Sequence, residues 1–167
     1  MITHRHLSAP WRFCLFILIL IAFACDYQHG LHPVQIAGIS GSITFQGDWP
    51  PETEWVRLVC FSHKPSPNNF GEFIAYLKGL SDPLPMNVGS YDYVMQLEPG
   101  TYEWIIVAWK AKGLLIISSK TLGEYSHTDS SGTPVPVTVL ANQLIPNIDI
   151  IADFSKINSS AFAERSQ

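Results

Sequence analysis

The stretch from Tyr91 to Ala111 constrains the fold of this chain more than any other part of its 167 residues. Each half of the stretch places apolar side chains at every second position, which is the spacing of one face of a β-strand. Pro99-Gly100 separates the halves and predicts a type II turn, because proline presets φ at the first central position and glycine accepts positive φ at the second. The stretch therefore predicts two strands with a turn between them.

This turn is predicted to be a corner between two facing sheets, not a hairpin. Tight hairpins prefer the mirror-image turn types, because a type II turn splays the strands beside it. A tyrosine follows the turn, and we expect the hydroxyl of Tyr102 to bond to upstream backbone, as in the tyrosine corner of immunoglobulin-type sandwiches. Pro99, Gly100 and Tyr102 thus form the predicted structural corner.

The strand after the corner is apolar on both faces, which leaves two interpretations open. A strand of this kind is usually central and covered on both sides, and burial is the favoured interpretation. If Ile105, Val107 and Trp109 were exposed instead, they would form a contact surface. Trp49 lies in a proline-rich loop and is the tryptophan that we most expect to be exposed.

The pattern Leu-x-Pro-Gly-x-Tyr, followed by an apolar strand, resembles the carboxypeptidase-regulatory-like and transthyretin-like family of β-sandwich modules. Residues 39–45 resemble the family's first strand, and 136–139 and 148–150 resemble its last strands. The resemblance covers residues 36–154 and implies an all-β fold: a single antiparallel β-sandwich, transthyretin-like or Ig-like, with about seven or eight strands. The family is mostly non-catalytic, so the resemblance implies no enzyme and transfers no functional residue.

The N-terminus has the layout of a secretory signal peptide. Arg5 and Arg12 precede an uncharged apolar run of 12 residues, from Phe13 to Ala24. A membrane span needs about 20 such residues, whereas the shorter run is typical of a signal peptide. The following Cys25 completes a pattern that resembles the lipobox of bacterial lipoproteins, which implies that Cys25 is lipidated and becomes the new N-terminus. An ordinary cleaved signal and an uncleaved anchor are the alternatives.

These signals divide the chain into four predicted parts: a lipoprotein signal peptide (1–24), a polar tether (25–35), the β-sandwich domain (36–154) and a flexible C-terminal tail (155–167). The expected location is the cell envelope, with the domain held on a membrane, by expectation the outer membrane, through N-terminal acyl chains. His29 and His32 in the tether lack the partners of a metal site and are expected to be solvated.

Within the domain, strands are predicted over 35–46, 55–63 and 114–120, with a closing pair over 135–140 and 145–154 that meets across residues 141–143. Residues 70–80 have apolar side chains at helical spacing but contain two glycines, so a short helix and an irregular strand both stay open. Gly41 in the first strand predicts a bulge or a close backbone approach. Cys60 is expected to be a buried free thiol.

No residue pattern in the chain predicts catalysis or a cofactor. Ser126, His127 and Asp129 are neighbours in one polar loop, which is not a preorganised triad, and no nucleophile elbow accompanies them. Phosphate-loop, dinucleotide and zinc spacings are absent, and one acidic residue is too few for a calcium loop. The net charge of −4 without a basic cluster argues against a nucleic-acid partner.

We therefore expect a non-catalytic, lipid-anchored cell-envelope module that mediates protein contacts. A binder of a small molecule or glycan is the alternative, and a transthyretin-like hydrolase is a more distant one. A concave aromatic pocket with convergent polar groups would favour the binder. A flat apolar patch over Ile105 and Trp109 would favour protein contacts, and His63 and His127 converging on a carboxylate would favour the enzyme.

Overall fold

Two four-stranded sheets face each other across an apolar core. A computed structural model describes residues 36–67, 69–126 and 133–157. The strands are β1 (Gly38–Gln46), β2 (Thr53–Phe61), β3 (Leu77–Leu80), β4 (Ser90–Gln96), β5 (Gly100–Tyr102), β6 (Trp104–Ala111), β7 (Lys120–Glu124), β8 (Val137–Val139), β9 (Leu144–Ile145) and β10 (Ile150–Asp153). Within these described residues the helices are α1 (Phe70–Tyr76) and two 3₁₀ helices, Ile116–Ser118 and Phe154–Ile157.

The sheet topology confirms the all-β, sandwich-like fold. Sheet A has the order β10-β1-β4, with β9 also paired to β1, and sheet B has the order β3-β2-β6-β7. A small third sheet pairs β5 with β8. The described residues form ten strands, more than predicted, because several span only two to four residues. Sheet A is mixed, because β1 is antiparallel to β4 but parallel to β9 and β10. The other strand pairs are antiparallel, as predicted.

The alternation of apolar residues along the strands puts their buried faces into one core. In β1, Ile39 and Ile43 are fully buried. In β4, Tyr93 and Met95 are buried, while the residues on either side of them are exposed. From the facing sheet B, the two central strands β2 and β6 each contribute the side chains of one face to this core. Burial of one large aliphatic side chain contributes about 1.5–3 kcal/mol, so this shared face is what holds the two sheets together.

Pro99-Gly100 is a corner between sheets, as predicted. β4 before it belongs to sheet A, and β6 after it belongs to sheet B. The hydroxyl of Tyr102 donates a hydrogen bond to the carbonyl oxygen of Glu98 at 2.6 Å, which confirms the tyrosine corner. The type II turn is wrong, because positive φ occurs at Gly47 and Gly113 among the described glycines and not at Gly100. Gly100 instead opens β5 and pairs with Val139 of β8.

Replacing Tyr102 by phenylalanine should lower the free energy of unfolding by about 1 kcal/mol, because it removes the hydrogen bond and leaves the ring in place. Urea unfolding followed by far-UV circular dichroism measures the change. Tyr91→Phe is the control: that half-buried tyrosine makes no side-chain hydrogen bond to another described residue, and we expect a loss below about 0.5 kcal/mol. Equal losses in both variants would contradict the role of the corner.

The predicted closing pair of strands is wrong in its pairing and its continuity. β8 pairs with β5, while β9 and β10 pair with β1. The strand predicted over 145–154 is split because Asn147 adopts a φ of 64°, which breaks the ladder. The carbonyl oxygen of Ile148 then lies over Gly41, where a Cβ atom would come within 3.0 Å of it. The expected close backbone approach at Gly41 is therefore confirmed.

The strand predicted over 114–120 is also wrong. Gly113, with a φ of 75°, turns the chain out of sheet B, and Ile116–Ser118 forms a 3₁₀ helix before β7 begins at Lys120. Residues 70–80 contain both of the alternatives in succession, α1 and then β3. The side-chain oxygen of Asn69 accepts a hydrogen bond from the backbone of Glu72 at 3.1 Å and starts this helix.

Candidate functional site

A concave groove lies on the outer face of sheet B, on the side away from the core between the sheets. Its floor is formed by the buried side chains Val59, Phe61, Ile106 and Ala108. Residues of α1 and β3 line the side of the groove at one sheet edge, and residues 116–117 and 119–121 line the side at the other. The cavity volume is about 290 Å³, near the lower end for sites that bind small molecules.

The groove exists because β2 and β6 are apolar on both faces and because one floor residue is small. Ala108 lies opposite Arg57 of β2 and opposite Thr121 of β7 in the sheet register. A methyl group between these two neighbours leaves the floor low at this point. The larger side chains of Val59 and Ile106 continue the apolar floor toward the other end of the strands.

Aromatic rings form one end of the groove and hold each other in place. The ring of Phe61 contacts Phe73 of α1 edge-on, with centroids 5.3 Å apart, and contacts Trp104 at 5.2 Å. The indole nitrogen of Trp104 donates a hydrogen bond to a carboxylate oxygen of Glu124 at 2.5 Å. Trp55 lies on the outer face of sheet B near the opposite end of the β2–β6 pair from Trp104. Both tryptophans are half-buried and line the groove.

Basic side chains lie over both tryptophans. The Lys64 ammonium is 5.0 Å from the ring centre of Trp104, and the Arg57 guanidinium is 5.5 Å from that of Trp55. Such cation–π contacts contribute about 0.5–1 kcal/mol at exposed sites. Lys110 is also near Trp55, at 6.0 Å, and its ammonium binds a carboxylate of Glu54. That hydrogen bond to Lys110 is the main reason why the pKa of Glu54 is lowered from its ordinary value.

The predicted contact residues on β6 lie elsewhere, inside the core. Ile105, Val107 and Trp109 are 1%, 0% and 4% exposed, so the covered strand is confirmed and the exposed contact surface is wrong for these three residues. The indole nitrogen of Trp109 donates to the hydroxyl of Thr53 at 2.8 Å, which satisfies its polar atom within the core.

Trp49 is half-buried, not fully exposed. Its ring packs between Phe45 and Phe154, with centroid distances of 4.8 and 4.7 Å. Its indole nitrogen donates to the carbonyl oxygen of Val88 at 3.1 Å. The loop tryptophan therefore seals one end of the sandwich and does not contribute to the groove.

The groups considered for catalysis are not assembled among the described residues. The Nδ1 atom of His63 lies 2.8 Å from a carboxylate oxygen of Glu103 on the surface. The other histidine considered with it, His127, lies outside the described residues, as do Asp129, His29, His32 and Cys25. Burial raises the pKa of the Cys60 thiol to about 12, which removes its nucleophilic thiolate at neutral pH and confirms a buried free cysteine.

Two further absences concern the same described part of the chain. No group of three or more histidine, cysteine, aspartate or glutamate side chains is placed there to hold a metal ion. None of the helices found in those residues has the length and the apolar character that a membrane crossing requires.

Sequence reasoning missed the groove, although one signal for it was present. The second apolar face of β6, with Trp104, Ile106 and Ala108, needed a cover, and α1 supplies only part of one. Comparison with known protein families, with curated protein sequences and with solved structures gives no match.

Proposed function

We propose that this chain is a non-catalytic, lipid-anchored cell-envelope module that binds a small apolar ligand in the groove on the outer face of sheet B. The supporting observation is the groove itself: a buried apolar floor, aromatic side chains beside it, and a few polar side chains among the residues that line it. Concave, mostly apolar sites with a few placed polar groups are the usual form of a small-molecule site.

An apolar ligand fits the groove better than a glycan does. The floor offers aliphatic and aromatic carbon, whereas sugars need many hydrogen-bond partners around an exposed ring. Trp104 already uses its indole nitrogen on Glu124, and Arg57 donates to the carbonyl oxygen of Ser81 at 2.7 Å. These two donors are therefore already engaged within the protein, which lowers the number available for a sugar.

A fluorescent apolar probe tests the groove. We expect 1-N-phenylnaphthylamine to bind the full chain and to gain fluorescence, and Ala108→Leu to weaken this binding at least about tenfold, because the added side chain fills the floor. The control is Thr44→Leu, which adds the same side chain at an exposed position on sheet A. Equal binding by wild type and Ala108→Leu, with both folded by circular dichroism, would refute the site.

A role in protein contacts is the second candidate, and one observation favours it. Leu114, Leu115, Ile116 and Ile117 follow one another along the chain and are 49%, 74%, 39% and 45% exposed. A contiguous run of exposed aliphatic side chains is unusual on a surface and is typical of a contact site. Loss of an envelope partner on Leu115→Ser, with probe binding unchanged, would favour this candidate over the ligand site.

The lipid anchor is proposed from the sequence alone, because Cys25 lies outside the described residues. Metabolic labelling with a fatty acid should mark the wild-type protein and leave Cys25→Ser unlabelled and released from the membrane fraction. Each buried CH₂ of an acyl chain contributes about 0.8 kcal/mol, so loss of the chains should release the domain almost completely. Cys14→Ser is the matched control and should keep the label. Equal labelling of all three proteins would exclude Cys25 as the acceptor.

A further inference from the structure

We propose that β4 is a docking edge and that its partner is the β4 strand of a second copy of this chain, so that sheet A continues from one copy into the other. β4 lies at one edge of sheet A, and within the described residues it pairs with β1 alone. It spans seven residues without a register shift, whereas the other strands at the edges of sheets A and B span two to five. A long, unbroken edge strand is a template for pairing with another chain.

The backbone of β4 presents hydrogen-bonding groups at this free edge. The N–H of Leu97 donates to the carbonyl oxygen of Ala37 at 3.0 Å, and the N–H of Phe45 donates to that of Gly89 at 2.9 Å. Since hydrogen-bonded pairs alternate along an antiparallel ladder, the odd-numbered residues of β4 bond to β1. The N–H and C=O groups of its even-numbered residues therefore point away from β1, and no backbone group of a described residue bonds to them there.

An open space lies beside this edge. A cavity of about 640 Å³ is lined mainly by Tyr91 and residues 93–98 on one side, and by residues 78–84 on the other. Residues 78–84 belong to the edge of sheet B, where the chain after β3 stays bonded to β2. On the opposite side of the sandwich, the backbone of Ile151 lies against Gly123, so β10 and β7 cover each other. The sandwich is thus closed along one side and open along the side of β4.

The outer face of β4 is complementary to itself. With a two-fold axis at Val94, that side chain faces its own copy, and Asp92 faces Gln96 of the second copy on both sides of the axis. Apolar pairs and hydrogen-bonded polar pairs of this kind stabilise neighbouring strands. An axis at Asp92 or Met95 would set two carboxylates opposite each other. An axis at Tyr93 or Gln96 would set Val94 opposite a carboxylate. The pattern of β4 therefore fits a second copy in one register.

Sedimentation equilibrium of the full chain tests the dimer, with Cys25→Ser in every sample so that acyl chains cause no association. We expect a monomer–dimer equilibrium and expect Val94→Lys to weaken it at least about tenfold, because two ammonium groups would face each other at the axis. Ile151→Lys is the matched control: it adds the same charge to the outer face of sheet A, at a residue that is 57% exposed compared with 61% for Val94, but in β10. Equal weakening by both variants, or a wild-type strand that leaves the chain monomeric at about 100 µM, would overturn the proposal.

Gln96→Lys tests the register. The new ammonium would face Asp92 on both sides of the axis, so we expect association to become about threefold tighter at low salt and the gain to disappear at high salt. Unchanged or weaker association would overturn the proposed pairing.

Hydrogen exchange distinguishes the possible occupants of the edge. The amides of Asp92, Val94 and Gln96 should become protected as the protein concentration rises. Those of Tyr93 and Met95 should be protected throughout, because they bond to β1. Protection of the first set that does not depend on concentration would assign the edge to another segment of the same chain, and protection that appears only on mixing with a different protein would assign it to a strand of that protein. Either result would overturn the second copy as the partner.

Discussion

Gly123→Ala is expected to lower the free energy of unfolding by about 3 kcal/mol or more. Gly123 lies in β7, and a Cβ atom there would come within 3.0 Å of the carbonyl carbon and oxygen of Ile151 in β10. Both neighbouring atoms are backbone, so neither can rotate away as the end of a side chain can. β7 and β10 are edge strands of sheets B and A, and the methyl group would push these two edges apart. Urea unfolding measures the loss.

Gly100→Ala is the matched control for this variant. A Cβ atom at Gly100 would meet nothing within 4 Å, and its φ is not in the left-handed region. We therefore expect the free energy of unfolding to change by no more than about 0.5 kcal/mol, in the direction of a gain, because alanine reduces the conformational entropy of the unfolded chain. A large loss at Gly100 would restore the type II turn that the sequence predicted, and a small loss at Gly123 would show that the sheet edges can separate at little cost.

Local patterns predicted the parts of this fold that depend on local physics. The alternation around Tyr93 predicted which side chains of β4 are buried, because each strand has only two faces. The tyrosine corner was predictable because Tyr102 and Glu98 are four residues apart and share one turn. In both cases the interacting groups lie close in sequence, so few alternative partners compete for them.

Long-range pairing was not predictable from the same patterns. No pattern around Ile150 predicts that β10 pairs in parallel with β1, which lies more than 100 residues earlier in the chain. The partner expected from the sequence was β8, which pairs with β5 instead. The apolar run Leu114–Ile117 has strand-like composition, yet it leaves the sheet because Gly113 turns the chain first. The composition of a segment indicates whether its side chains will be buried. It does not determine which strand the segment pairs with, because that choice depends on the register of the whole sheet.

The groove was missed for a related reason. The sequence showed that β6 is apolar on both faces, and cover on both sides was the expected consequence. What it could not show is that α1 covers only the end of the outer face, where Phe73 contacts Phe61 and Tyr76 packs against the same apolar cluster. The open part of that face, over Ala108, is the candidate site. The size of an uncovered area depends on where a seven-residue helix docks, which is a tertiary property.

Phe61→Ala is expected to cost about 3–5 kcal/mol in free energy of unfolding, the range for a large aromatic side chain removed from a core. Phe61 is 0% exposed, and it points to the outer face of sheet B, where it packs against Phe73 and Trp104. Its loss would remove the contact that holds α1 on the sheet. The loss is measured by urea unfolding, and the docking of α1 by hydrogen exchange of residues 70–76.

Phe70→Ala is the control, because Phe70 belongs to the same helix and stacks on Phe73 at 6.4 Å but is 51% exposed. We expect it to cost less than about 1 kcal/mol, since little apolar surface returns to water. If the two variants were equally stable, the apolar cluster of Val59, Phe61, Ile106 and Ala108 would not act as a second core. A large loss confined to Phe61→Ala would instead mean that sheet B is stabilised from both sides, and that the groove is built on a rigid floor.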